Sequence, residues 1–233
     1  MKKCLIYIYL LLLTSLCCLQ AGAVSSEIRS LSVSDGLPDL VINTIYKDSK
    51  GYVWMGTNTS VERFDGIRLE HYMVEGSNEN LKRVFALVEM PDNELWVGTG
   101  MGLFRLADDA EKLERLAPEM ITSGVHAFCK LGDVLYVGTE KGLYVYKGGV
   151  FEHVLVDKNV FSRANFVTGM VEGENGILWL STMGGLKSFR LSDQTITSFS
   201  DKLAKNGQNL SFYNITRIGS KIFMGTMTSG LVL

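Results

Sequence analysis

The stretch Gly51-Tyr52-Val53-Trp54-Met55-Gly56-Thr57 recurs four more times, and no other feature restricts the fold as tightly. The later copies are Leu95-Trp96-Val97-Gly98-Thr99, Leu135-Tyr136-Val137-Gly138-Thr139, Leu178-Trp179-Leu180-Ser181-Thr182 and Ile222-Phe223-Met224-Gly225-Thr226. Their aromatic anchors, Trp54, Trp96, Tyr136, Trp179 and Phe223, stand 42, 40, 43 and 44 residues apart. A Thr follows every anchor by three residues, and Gly56, Gly98, Gly138 and Gly225 precede it in four copies. A period of roughly 40–45 residues made of short strands is the pattern of a β-propeller, with one four-stranded blade per repeat. An all-β chain of five such blades is therefore expected.

Each repeat divides into four pieces. The first is an apolar strand, marked by Ile42 and Ile45, Val84 and Leu87, Val125 and Phe128, Val167 and Met170, and Phe212 and Ile215. A polar hairpin turn follows, such as Asp48-Ser49-Lys50-Gly51 or Pro91-Asp92-Asn93-Glu94. The second strand carries the anchor, whose Gly lets a neighbouring backbone approach closely. Gly102-Leu103, Gly142-Leu143, Gly185-Leu186 and Gly230-Leu231 open the third strand, where the first repeat has Ser60-Val61. The fourth alternates apolar and polar residues, as Val150-Phe151-Glu152-His153-Val154 does, and fits an outer strand with one wet face. The fifth repeat reaches Leu233 without a fourth strand, while Glu27–Ser32 reads as an outer strand without a blade. That segment either completes the fifth blade and closes a five-bladed ring, or belongs to a partial seven-bladed ring.

Lys2 and Lys3, the apolar run Cys4–Leu19 and Ala21-Gly22-Ala23 together read as a signal peptide over residues 1–23. The propeller domain then spans residues 24–233, and a periplasmic address follows. An uncleaved anchor is the alternative, although the apolar run is shorter than the roughly 20 residues of a span. Three of the four cysteines lie in this leader, which leaves Cys129 alone in the exported part. No intrachain disulfide and no cysteine-based metal site is then expected. A net charge of −2 with 21% charged residues leaves no basic footprint for nucleic acid.

No catalytic or cofactor string stands out. His71, His126 and His153 fall in three different repeats and lack a zinc spacing. No nucleophile elbow or phosphate-cradling loop opens a helix, so neither a metal nor a cofactor is expected. Glu140 and Glu172 remain as carboxylates that a propeller could collect into a glycosidase-like pair. The loops before the first strand and between strands two and three share one face of a propeller. They place Asn58, Arg83, His126, Lys141, Arg163, Asn165 and Tyr213 there, a polar and aromatic set suited to hydrogen-bonding and stacking on a ligand.

The run Leu31-Ser32-Val33-Ser34-Asp35-Gly36-Leu37-Pro38, then Val41-Ile42-Asn43-Thr44-Ile45, the Trp54 anchor and Arg63-Phe64-Asp65-Gly66 resemble the opening of one family. That family is the two-component regulator propeller, the extracytoplasmic sensor of hybrid histidine kinases of Bacteroidetes-type bacteria. The later Gly-Thr-x-x-Gly-Leu repeats extend the resemblance over residues 27–233. It implies a non-catalytic sensor of oligosaccharides, whose partners are further blades or signalling domains of a longer receptor, or a second copy of that receptor. No transmitter, kinase His or receiver Asp is found after the repeats, so a truncated sensor is expected. An exported propeller lyase or glycosidase, and a fragment without independent function, are the alternatives.

Overall fold

Nineteen short strands, sorted into five antiparallel sheets, make up the described part of the computed structural model, which covers residues 28, 30–74, 81–199 and 210–233. The compact unit runs from Ser32 to Leu233. The signal-peptide reading falls on residues 1–23, outside the described ones. No helix among the described residues is long and apolar enough to cross a membrane.

The sheets follow the repeats in order. Blade one holds β1 (Thr44–Lys47), β2 (Val53–Gly56), β3 (Val61–Phe64) and β4 (Leu69–Tyr72). Blade two holds β5 (Val84–Glu89), β6 (Leu95–Thr99), β7 (Gly102–Leu106) and β8 (Glu114–Arg115). Blade three holds β9 (Val125–Leu131), β10 (Val134–Thr139), β11 (Gly142–Lys147) and β12 (Val150–Val154). Blade four holds β13 (Val167–Glu172), β14 (Ile177–Thr182), β15 (Gly185–Arg190) and β16 (Ile196–Ser198). Blade five has three strands, β17 (Phe212–Ile218), β18 (Lys221–Thr226) and β19 (Leu231–Val232). Strand order within every sheet is sequential, as an up-and-down blade requires.

The apolar cores lie between blades. One gathers Trp54, Val61 and Tyr72 of blade one with Val84, Leu87 and Phe104 of blade two. Similar clusters join blades two and three through Trp96 and Val125, three and four through Tyr136 and Val167, and four and five through Leu186 and Phe212. The anchor glycines make this approach possible. A Cβ on Gly98 would stand 2.8 Å from Val125 Cγ1 of the next blade, and one on Gly138 would stand 2.8 Å from Val167 Cγ1. Blade four inverts the arrangement. Ser181 occupies the glycine position there, and Gly169 on the paired strand leaves room for its hydroxyl, since a Cβ on Gly169 would lie 2.8 Å from Ser181 Oγ.

The recurring Thr has an equally local cause. Thr99 Oγ1 donates to the Gly102 carbonyl at 3.0 Å and accepts from the Met101 amide, which closes the hairpin between strands two and three. Thr57, Thr139 and Thr182 repeat that pattern, and Thr226 reaches Gly230 across the extra residue of its turn. Asp48 is a turn carboxylate as well, accepting from Trp54 Nε1 at 2.7 Å and from the Tyr52 amide.

The N-terminal segment departs from expectation. Ile28, Ser30, Leu31 and Ser32 are not in a strand, and Ser32 instead caps a 3-10 turn over Val33–Asp35, its amide bonded to the Asp35 carboxylate. Among the described residues no N-terminal strand joins the fifth sheet and no closed ring is formed, while Glu27 and Arg29 of the expected strand lie outside the described residues. The alternation of that segment was a weak signal, because Ser and Asp beside Gly36 favour a locally bonded turn over a ladder.

Candidate functional site

The first strand of a blade carries a repeated irregularity. Val84 pairs with Thr99 and Ala86 with Gly98, which leaves Phe85 as a bulge. The same slip isolates His126 in β9, Thr168 in β13 and Tyr213 in β17. In blade one the corresponding residue is Asn43, whose amide donates to the Gly56 carbonyl just ahead of β1. A bulge turns its side chain out of the normal alternation and bends the strand. The five residues Asn43, Phe85, His126, Thr168 and Tyr213 line one cavity of about 470 Å³. Arg83, Phe166, Met183 and Asn214 complete its wall. Clefts of about 300 and 410 Å³ also exist, but the first is built from blades three and four and the second from blades four and five. The larger cavity is the one to which all five blades contribute.

Its wall is aromatic with scattered hydrogen-bonding groups. The His126 ring lies between Phe85 and Phe166, with centroids 4.1 and 4.7 Å away. Burial between these rings pushes the His126 pKa down, against the opposing pull of Glu140, whose Oε1 is 3.2 Å from Nε2. The imidazole is thus favoured in its neutral form. Thr168 Oγ1 donates across the blade boundary to the Phe212 carbonyl at 2.8 Å. Tyr213 keeps 58% of its surface exposed at the rim. No carboxylate is among the lining residues.

Of the residues expected from sequence, Arg83, His126 and Tyr213 line this cavity. Asn58 stands behind it, its Oδ1 accepting from Asn43 Nδ2 at 3.2 Å and from Arg83 Nε at 3.4 Å. Lys141, Arg163 and Asn165 are not among the lining residues. The Lys141 ammonium donates to Thr122, Arg163 is exposed at the start of the 3-10 turn Arg163–Asn165, and Asn165 is buried at its end. There the Asn165 amide bonds the Asp157 amide and the carbonyls of Asp157 and Asn159. Sequence reasoning missed Asn43, Phe85, Phe166, Thr168, Met183 and Asn214. Aligning the residue after the first V-x-x-I position of every repeat yields the bulge set directly. Among the described residues no cluster of His, Cys, Asp and Glu has the makings of a metal site.

Residues 36–59 match the family described as two component regulator propeller, a stretch that takes in Asn43 and the first anchor. Histidine kinase P4 of Formosa agariphila is 27% identical over 220 residues, covering 82% of this chain and 16% of the relative. The extracellular domain of a protein described as a hybrid two component system of B. thetaiotaomicron has the same fold. It superposes with a TM-score of 0.70 and 21% identity, over 87% of this chain and 30% of that one. Virginiamycin B lyase from Staphylococcus aureus aligns with a TM-score of 0.60 and 16% identity, over 84% of this chain and 71% of that one. The chain thus spans a small part of the curated relative's length and under a third of the two-component structure's.

Proposed function

We propose that this chain, which carries a two-component regulator propeller repeat and resembles the extracellular propellers of two-component systems, is a ligand-sensing module for an oligosaccharide. It acts outside the cytoplasm and reports to the signalling domains of a longer receptor, with further blades or a second receptor copy beside it. The observation that carries this reading is the convergence on one cavity of four bulge residues and their blade-one counterpart Asn43, from five consecutive blades. Its aromatic faces suit stacking on sugar rings, and Asn43, Thr168 and Asn214 offer polar atoms at fixed positions. A sugar that contacts several blades at once favours one arrangement of them, and this differential affinity is what a receptor can transmit.

The test is titration calorimetry of the chain against a panel of oligosaccharides, with Tyr213→Ala and Phe166→Ala as variants. At least one sugar should bind, and each variant should weaken it about tenfold or more, as loss of a stacked ring does. Failure of every sugar at millimolar concentration sinks the reading. A second reading, an exported propeller enzyme, draws on the neutral His126 beside Glu140 at the cavity wall, a pair able to accept a proton. Turnover of a bound sugar that disappears in His126→Ala would favour it; binding without turnover favours the sensor.

A further inference from the structure

Arg83 is the one lining residue with a permanent charge, and its backbone is held in an unfavourable conformation. Lys82 and Arg83 have φ of 49° and 73°, two consecutive side-chain-bearing residues in the left-handed region. Among the described residues the remaining non-glycine residues of positive φ (Asn93, Ala117, Asn175 and Gln194) occur singly. Three contacts fix the pair. The Arg83 amide donates to the Asn58 carbonyl at 2.8 Å, the Arg83 carbonyl accepts from Gly100 at 3.0 Å, and Val84 donates to Thr57 at 2.9 Å. Gly100 is needed for this, because a Cβ there would run into the Lys82 carbonyl. The guanidinium carbon lies 5.8 Å from the Phe85 ring centroid. Arg63, Arg105, Arg190 and Arg217 each pair with a carboxylate; among the described residues Arg83, like Arg68, Arg115 and Arg163, makes no ion pair, and its Nε donates to Asn58 Oδ1 at 3.4 Å.

A guanidinium held at the edge of a cavity without a carboxylate has its donors available for an incoming anion. We infer that Arg83 receives the anionic group of the ligand, so that the cavity takes a sugar bearing a carboxylate or a sulfate ester. This rests on the oligosaccharide reading above and narrows it to acidic sugars. Both anions present a pair of acceptor oxygens that a guanidinium fork can engage, and binding experiments separate them.

Three disaccharides are titrated into the full chain by calorimetry at low and high salt: one with a uronate, one with a sulfate ester, and their neutral counterpart. At least one acidic sugar should bind about tenfold or more tightly than the neutral one, with an advantage that shrinks as salt rises. The arm that binds more tightly identifies the anion. Arg83→Asn keeps a residue that tolerates left-handed φ while removing the charge, and it should erase the advantage of the acidic sugar over the neutral one. Arg83→Lys should restore part of it. Equal affinity for acidic and neutral sugars, or an advantage that survives Arg83→Asn, overturns the inference. If neutral binding is then lost in Tyr213→Ala, the oligosaccharide reading still stands. Absence of binding by all three in a folded chain removes the reading and the inference together.

Discussion

Gly138→Ala tests whether the repeat glycine exists for the contact between blades. The new Cβ would stand 2.8 Å from Val167 Cγ1, 3.2 Å from Val167 Cβ and 3.4 Å from Met170 Cε. Carbon atoms in contact prefer roughly 3.5–4.0 Å, so Val167 must yield by several tenths of an ångström. Overpacking of that kind costs about 1–3 kcal/mol. Alanine recovers roughly 0.5–1 kcal/mol through its lower strand entropy, which leaves a net loss of about 1–2 kcal/mol. The same substitution at Gly225 serves as the control, because nothing lies within 4 Å of its Cβ. Gly225→Ala should therefore be neutral or stabilise by up to about 1 kcal/mol. Urea denaturation followed by tryptophan fluorescence measures both. In a Val167→Ala background the cost of Gly138→Ala should shrink by about 1 kcal/mol, since the crowding methyl is gone. Equal effects at Gly138 and Gly225 would refute the reasoning, as would a cost at Gly138 that is unchanged by Val167→Ala.

The threonines permit a similar contrast. Thr99→Val removes a fully buried hydroxyl that serves two backbone groups, and should cost about 2–4 kcal/mol in the same denaturation assay. Thr226→Val, on a solvent-accessible turn, should cost under about 1 kcal/mol; equal losses would contradict the burial argument. Glu62 supplies a pH dependence. It is buried beside Ser60 and His71, and burial raises its carboxyl from 4.5 to about 7. The folded chain thus holds a proton that the unfolded chain releases between about pH 4.5 and 7. Its stabilising contribution is complete below that window and falls by up to roughly 3 kcal/mol as pH rises through it. Glu62→Gln should flatten this part of the stability profile between pH 5 and 8, and a variant with an unchanged slope would count against it.

The blades were legible because their determinants are local and recur: a hairpin turn, an anchor, a glycine and a threonine that closes the next turn. The swap of glycine for Ser181 was visible in sequence, but its counterpart Gly169 was not, because the two meet only through strand pairing. The strand expected over Glu27–Ser32 failed for the opposite reason. At its described end Ser32 bonds the Asp35 carboxylate locally instead of entering a ladder. The site was half legible. Loop position led to Arg83, His126 and Tyr213, whereas Phe85 and Thr168 looked like ordinary strand residues until the register revealed their bulges. Asn165 has the right chemistry in the right loop, yet its amide bonds backbone groups of the Asp157–Asn159 turn.

The separation between constant and variable positions explains how such a scaffold can hold a specific site. Residues flanking each bulge are constrained: Val84, Val125, Val167 and Phe212 are fully buried between blades, the next strand's Thr is held by its turn, and Gly98 and Gly138 are held by packing against Val125 and Val167. The bulged residue lies outside the Cα pairing register, so its side chain is not matched to a cross-strand partner. Asn43, Phe85, His126, Thr168 and Tyr213 differ accordingly in size, polarity and hydrogen-bonding capacity while occupying equivalent places. Substituting one of them should alter ligand preference with little effect on the fold, whereas substituting its buried neighbour should do the reverse. Phe85→Ala against Val84→Ala, compared by denaturation and by sugar titration, distinguishes the two roles: Val84→Ala should lose about 1–3 kcal/mol of stability, and Phe85→Ala should chiefly lose affinity. If both variants lost stability alike and bound alike, the bulge would be part of the core and the five-blade cavity would have no claim to be the site.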